Sequence, residues 1–355
     1  MPERVQHIDV AKGISIFFVA MFHSKLKFYY PDIIGPMSLF RMPLFFFLSG
    51  VFFSWLLEPK AFLIKKAEAL LKPYFVVLFI IFLVGVVLKK PALFWQLKGI
   101  LYGNGDTIQW VPLWFLTHLF AVYLFVYILF YFLKFNSLPV WLKVVVLVTF
   151  MLVGIFYIDL FWYKDIHFLG YFLQLPGLPF SLDIILITSC FFVCGVLLND
   201  LITRFRPRVL LILFSIVAFL MISVFTGAHI DLNKRVYDDG FYATLGAVFG
   251  IYIALSISWY ISKIELISYI PLRLGEASLY ILMFHGFIQR EFYNYLAEGV
   301  TEEFILIGVI FFSLFLSVSI PLGIRWVVLR SDFLSLAFLP FKSNKLVHRM
   351  ISARH

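Results

Sequence analysis

The chain alternates long apolar stretches with short polar segments. Ten of these stretches have roughly the 17–25 residues that a helix needs to cross the hydrocarbon core of a bilayer. A bilayer offers the backbone no hydrogen-bond partners, so such stretches cross it as helices. The pattern predicts an all-α polytopic membrane protein, a bundle of about ten transmembrane helices. The predicted spans are residues 8–26, 37–57, 73–88, 113–133, 139–159, 182–199, 208–227, 240–261, 276–297 and 303–329.

The composition excludes an ordinary soluble domain. Of the 355 residues, 63% are hydrophobic and only 14% are charged, whereas globular chains are about 45–50% apolar. We interpret residues 1–335 as one transmembrane domain and residues 336–355 as a basic cytoplasmic tail.

The net charge of +9 resides mostly in short loops, which indicates membrane topology rather than nucleic-acid binding. Loops that share a side with the N-terminus carry more Lys and Arg than the opposite loops. Because cytoplasmic loops are enriched in these residues, we expect both termini to be cytoplasmic.

Asp9, Lys12 and His23 are ionisable residues on the first predicted helix. Lys12 and His23 are eleven residues apart, which places them on one face, about 16 Å apart along the axis. Asp9 precedes Lys12 by three residues, so the two can pair. A neutral His23 near the outer end can take a proton from a hydroxyl. The alternative is an interfacial histidine at the end of the helix, among Ser24, Lys25 and Lys27.

Four further polar or aromatic residues in the spans are candidate substrate contacts. Arg41 can hold an acceptor or an acyl carboxylate by bidentate hydrogen bonds, or it can reach the membrane interface. His285 can bond the reacting groups or belong to a structural network. Trp114 can stack on a sugar, although tryptophan is also common at membrane interfaces. His118 follows Trp114 by one helical turn and is a weaker candidate.

Four sequence blocks, in order, resemble the acyltransferase-3 family. They are IDVAKG with MFH at residues 8–13 and 21–23, FRMPLFFFLSG at 40–50, LWFL at 113–116, and GEASLYILMFH at 275–285. The branch most resembled is the fucose 4-O-acetylase-like group of membrane sugar O-acyltransferases.

This resemblance implies a ten-helix membrane bundle that moves an acyl group from cytoplasmic acyl-coenzyme A to a carbohydrate hydroxyl. It implies His23 as general base, with Lys12 at the position of the basic residue that the family carries about three helical turns earlier. Together with the residue patterns above, we expect Asp9 to support Lys12 and expect Arg41, Trp114, His118 and His285 to bind substrate. The donor would be acetyl- or succinyl-coenzyme A, and no metal is expected. The acceptor would be a cell-surface or exported polysaccharide or its lipid-linked precursor, made by polysaccharide machinery in the bacterial inner membrane.

The family carries two arginines before its third helix, followed by Pro-Tyr. This chain has Lys65, Lys66 and Lys72 before Pro73 and Tyr74. Lysine binds phosphate as a point charge, so these residues are candidates for the coenzyme A phosphates. The alternative is that they serve only membrane topology.

Two other functions remain open at this point. A transporter or flippase for a lipid-linked sugar also needs many helices and intramembrane charges. A non-catalytic membrane component of a polysaccharide assembly complex is the third interpretation.

Overall fold

The computed structural model describes residues 5–341 except positions 90, 92, 169 and 170, and at 166–168 and 171–173 it describes the backbone alone. Helices dominate the described chain. In chain order they are α1 (Gln6–His23), α2 (Leu26–Tyr29), α3 (Pro31–Ile34), α4 (Ser38–Val51), α5 (Pro59–Lys66), α6 (Lys72–Val87), α7 (Leu93–Tyr102), α8 (Trp114–Tyr127), α9 (Val140–Phe156), α10 (Ile185–Leu197), α11 (Asn199–Thr203), α12 (Val209–Phe225), α13 (Gly240–Ile261), α14 (Glu265–Glu276), α15 (Ser278–Ala297), α16 (Glu303–Arg330) and α17 (Asp332–Phe338).

Each of the ten predicted spans coincides with one of these helices. Within the described residues, six helical segments are long and apolar enough to cross a membrane. They are Pro31–Val51, Pro59–Val87, Val111–Phe132, Pro179–Leu197, Gly240–Ile261 and Glu303–Arg330. The pair α14 and α15, bent by 82° between Glu276 and Ser278, makes a seventh if it forms one span. The helical membrane class is therefore confirmed, while ten crossings and cytoplasmic termini stay predictions.

The third span begins earlier than the sequence pattern indicates. Helices α5 and α6 are joined through a π-helical turn at Ala67–Leu71, so one apolar helical segment runs over Pro59–Val87. Pro73 follows this turn and has no N–H to donate to the preceding turn. A π-helical turn changes the local hydrogen-bond pattern, so the helix continues past the proline.

Two short hairpins modify the predicted all-α class. Strands β1 (Trp162–Phe168) and β2 (Tyr171–Pro176) pair antiparallel, with Asp165 opposite Gln174. Strands β3 (His229–Asp231) and β4 (Val236–Asp238) form the second antiparallel pair. Both hairpins connect predicted spans, where backbone outside a helix needs another source of hydrogen bonds.

The chain divides into two compact units. The first comprises Met1–Phe53 and Phe191–Arg325, and the second comprises Ser54–Cys190 and Trp326–His355. The predicted boundary at residue 335 stays a prediction. Residues 336–341 continue α17 and the segment after it, and the rest of the predicted tail lies outside the described residues.

The core of the first unit forms around α1. Its residues Ile8, Val10, Ala11 and Ile16 have no exposed surface. A Cβ at Gly13 would lie 1.8 Å from the Pro271 carbonyl oxygen of α14. Glycine thus lets the backbones of α1 and α14 touch, as small residues do between membrane helices.

The core of the second unit forms around α8. Leu116 of this helix and Leu113, which directly precedes it, have almost no exposed surface. The buried Tyr74 hydroxyl of α6 donates a hydrogen bond to the Ile100 carbonyl of α7 at 2.8 Å. This bond satisfies a hydroxyl that would otherwise be buried without a partner.

Gly13→Ala is expected to lower the free energy of unfolding by roughly 1–3 kcal/mol, because an added methyl group must push α14 away from α1. Thermal unfolding of the purified protein in detergent measures this. Gly308→Ala in α16 is the matched control: nothing lies within 4 Å of a Cβ there, so alanine should be neutral or stabilise by up to about 1 kcal/mol. Equal unfolding midpoints for the two variants would contradict the close contact.

Candidate active site

Three predicted site residues meet in the first unit. His23 is the last residue of α1, Arg41 lies in the first turn of α4, and His285 lies within α15. The ring centroids of His23 and His285 are 5.2 Å apart, with the ring planes tilted by 53°. The His23 residue is exposed, whereas His285 is fully buried. We call His23, Arg41 and His285 the histidine–arginine cluster.

The position of His23 follows from the way α1 ends. The next residue, Ser24, has extended backbone angles (φ −73°, ψ 163°). Its hydroxyl donates to the Met21 carbonyl at 2.6 Å and accepts the Leu26 backbone N–H at 3.2 Å. Ser24 thereby ends α1, and a histidine in the last turn suits the negative end of the helix dipole.

The hydrogen bonds of His285 determine its tautomer. Its Nδ1 lies 2.8 Å from the Ile281 carbonyl and 3.1 Å from the Leu282 carbonyl. Carbonyl oxygens only accept, so Nδ1 carries a proton, and in the neutral imidazole Nε2 keeps a lone pair. This Nε2 is buried and has no hydrogen-bond partner among the described residues. A buried unpaired acceptor costs about 1–3 kcal/mol, which favours a functional reason for keeping it.

Arg41 is also buried with unused hydrogen-bonding capacity. The residue is 5% exposed, and its guanidinium carbon lies 3.6 Å from the centroid of the Phe22 ring. This cation–π contact holds the planar group in place. Its Nε is buried without a partner in the described part of the chain.

Positive charge exceeds negative charge beside Arg41. The Asp231 carboxylate of the second hairpin attracts both Arg41 and Lys27. Burial lowers the pKa of the Lys27 ammonium below its ordinary value, and repulsion by Arg41 lowers this pKa further. In the described part of the first unit, Asp231 is thus the carboxylate that both cations share, and an additional negative charge would be stabilised here.

Gln289 is a site candidate that the sequence analysis missed. It follows His285 by four residues, on the same face of α15. The side chain is 95% buried, being 5% exposed, and neither its amide nitrogen nor its amide oxygen has a partner among the described residues. The spacing from His285 is the signal that could have found it.

Lys12 forms the predicted pair with Asp9. Its Nζ lies 3.3 Å from the Asp9 carboxylate and 4.1 Å from the centroid of the Phe52 ring. The pairing is therefore confirmed. These contacts hold the ammonium within the first unit, about three turns from His23 along α1. The part of Lys12 in catalysis stays a prediction.

Trp114 and His118 lie in the second unit and contact each other, with ring centroids 5.7 Å apart. The His118 Nδ1 lies 3.1 Å from the Phe180 carbonyl and its Nε2 lies 2.9 Å from the Thr188 hydroxyl. Both ring nitrogens thus have protein partners, and the ring is fully buried. Trp114 is only 6% exposed. This geometry favours structural roles over the predicted substrate contacts.

The three predicted phosphate-binding lysines also lie in the second unit. Lys65 is exposed. The Lys66 Nζ lies 3.4 Å from the centroid of the Tyr123 ring, and the Lys72 Nζ donates to the Leu339 carbonyl at 2.7 Å. The ammonium groups of Lys66 and Lys72 therefore contact the protein itself. Of the three lysines, Lys65 is the one best placed to bind a phosphate.

No three His, Cys, Asp or Glu side chains lie close enough together to hold a metal ion within the described ranges. The cluster itself offers two groups for acyl transfer. An imidazole lone pair can accept a proton, and a buried guanidinium can stabilise an oxyanion.

A family comparison decides between the functions left open by the sequence. The acyltransferase-domain model of the acyltransferase-3 family matches residues 5–326. The chain belongs to the acyltransferase-3 family. It is thus a multi-pass membrane acyltransferase, and the fucose 4-O-acetylase-like branch stays a prediction. Searches of curated proteins and of solved structures gave no significant match.

Gln289→Leu is expected to leave the acyltransferase equally stable or to raise its free energy of unfolding by about 1–3 kcal/mol, because it removes a buried amide without partners. His118→Leu should lower it by a similar amount, since two buried hydrogen bonds are lost. Thermal unfolding in detergent compares the variants. Destabilisation of both to the same degree would contradict the distinction between the two sites.

Proposed function

We propose that this acyltransferase moves an acetyl or succinyl group from acyl-coenzyme A to a hydroxyl of a cell-surface or exported polysaccharide or its lipid-linked precursor. The single observation that carries the proposal is the histidine–arginine cluster, in which the His285 Nε2 and the Arg41 Nε are buried without hydrogen-bond partners among the described residues. We place the enzyme in the bacterial inner membrane, next to polysaccharide machinery, as the family resemblance implies.

His23 acts as general base in the proposed reaction. It removes the proton of the acceptor hydroxyl while the oxygen attacks the thioester carbon. A carbon–oxygen bond forms, and the carbonyl oxygen becomes an oxyanion that the Arg41 guanidinium stabilises. The carbon–sulfur bond then breaks, and coenzyme A leaves as a thiolate that takes the proton from the His23 imidazolium. The products are an acyl ester and coenzyme A.

His285 and Gln289 hold the acceptor in this proposal. The His285 Nε2 accepts a hydrogen bond, while the Gln289 amide both donates and accepts. Neighbouring sugar hydroxyls offer the complementary groups, and their binding would satisfy polar atoms that have no described protein partner. A hydroxyl-rich acceptor therefore suits these residues better than an apolar one.

The excess positive charge suits a negatively charged acyl group. Arg41 and Lys27 face one described carboxylate, Asp231. A succinyl carboxylate can accept two parallel hydrogen bonds from a guanidinium. An acetyl group has no carboxylate, so with this donor Arg41 would bind only the oxyanion. Both donors remain in the proposal, and the family match supports an enzyme over the transporter or flippase.

His23→Gln is expected to reduce acyl transfer by about 100-fold or more, the usual contribution of a general base. Coenzyme A release by purified enzyme with a polysaccharide acceptor measures this, with acetyl- and succinyl-coenzyme A tested side by side. His229→Gln, in β3 of the same unit, is the matched control and should keep wild-type activity.

Two results of this comparison are decisive. Full activity of His23→Gln with either donor would refute the base. An inactive His23→Gln beside an active His229→Gln supports it, and the donor turned over by the wild type identifies the acyl group.

A further inference from the structure

A second polar region of the first unit lies at the opposite end of α1 from His23. An open cleft of about 530 Å³ is lined by Gln6, Tyr269, Leu272, Arg273 and Glu276. Gln6 begins α1, and the other four residues come from α14. The volume falls within the range of sites that bind small molecules, about 300–1,000 Å³.

The cleft residue Glu276 contacts two arginines among the described residues, Arg273 of the lining and Arg325 of α16. The Arg273 Nη1 lies 3.4 Å from the Glu276 Oε2, and the Arg325 Nη2 lies 3.6 Å from the same oxygen. These distances exceed the roughly 2.7–2.9 Å of a tight charge-assisted hydrogen bond. Two guanidinium groups thus share one carboxylate loosely. Arg273 also donates a hydrogen bond to Tyr269, and because each guanidinium has five N–H donors, both arginines can bind an anion as well.

An aromatic platform stands beside these cations. The Tyr269 residue is 59% exposed, and the Arg273 guanidinium lies 5.2 Å from its ring centroid. Nucleobases stack on such exposed rings, and planar guanidinium groups bind phosphate in a bidentate manner. Gln6 is an exposed residue whose amide nitrogen lies 3.5 Å from the Ser268 hydroxyl. Its amide oxygen can accept a hydrogen bond from a base edge.

We propose that this cleft binds the phosphorylated adenosine end of the acyl-coenzyme A donor, with Arg273 and Arg325 on the phosphates and Tyr269 under the base. The inference rests on the proposed function, which supplies the donor. It assigns phosphate binding to the first unit rather than to the lysines of the second.

The distance from the cleft to the cluster suits an elongated ligand. Gln6 and His23 are the two ends of α1, about 26 Å apart along the helix axis. Coenzyme A has its phosphates at one end and its thiol at the other, joined by a thin arm. The proposal requires this arm to extend from a nucleotide in the cleft toward His23.

Glu276 competes with the ligand for both arginines. A carboxylate that shares two guanidinium groups lowers the affinity for any other anion at that position. Glu276→Gln keeps the size of the side chain and removes the charge, so it should tighten donor binding. Were the three residues only structural, the same change would leave the donor affinity unaltered or weaken it.

The test is equilibrium binding of coenzyme A, and of its phosphorylated adenosine half alone, to the full chain in neutral detergent. Arg273→Ala and Arg325→Ala should each weaken both ligands about tenfold or more, since a hydrogen bond to a charged group is lost. Glu276→Gln should tighten both several-fold. Arg290→Ala is the matched control, because Arg290 is an exposed arginine outside the cleft that pairs with Glu291 at 2.9 Å. This variant should bind both ligands with wild-type affinity.

Three results would overturn the inference. Wild-type affinity in both cleft variants, with loss of binding in Lys65→Ala, would assign the phosphates to the second unit and leave the proposed function intact. Arginine dependence for phosphatidylglycerol in nanodiscs, but not for coenzyme A, would assign the cleft to a lipid headgroup. Failure of the wild-type chain to bind any acyl-coenzyme A would remove the proposed function as well.

Discussion

A polar group inside an apolar helical unit needs a hydrogen-bond partner, because each buried group left unpaired costs about 1–3 kcal/mol. This constraint separates the two buried histidines of the described chain that were candidates for substrate binding. His118 has protein partners for both ring nitrogens. The His285 Nε2 has none, and the Gln289 amide one turn further has none at either atom. The hydrogen bonds of His118 stabilise the fold. The polar atoms of His285 and Gln289 can instead form hydrogen bonds with a substrate.

Close backbone packing places these unpaired groups beside His23. A Cβ at Gly13 would lie 1.8 Å from the Pro271 carbonyl oxygen, and a Cβ at Gly275 would lie 2.6 Å from the Asp9 carbonyl oxygen. These two glycines bring α14 directly onto α1. The chain then bends by 82° into α15, the helix that carries His285. Rigid helices on a closely packed scaffold hold reacting groups more precisely than loops do.

The sequence predicts most of the helices but little of the pairing between distant residues. Apolar length alone locates the helices, and helical spacing alone predicts the Asp9–Lys12 pair, because both are local properties. Whether His118 and His285 find hydrogen-bond partners is not a local property. The partners of His118 are Phe180 and Thr188, which lie more than sixty residues later. Asp231 is a similar case, because only the folded hairpin brings its charge to Arg41. The π-helical turn before Pro73 and the two hairpins likewise have no clear signal in apolar patterning.

The central claim is that acyl transfer takes place at His23, Arg41 and His285 in the first unit. The most direct test is an experimental structure of the full chain with a coenzyme A analogue whose thioester is replaced by a ketone. We predict that the ketone oxygen lies within hydrogen-bond distance of the Arg41 guanidinium, with its carbon facing His23. An analogue whose ketone lies beside Trp114 and His118 in the second unit, away from these residues, would contradict the account.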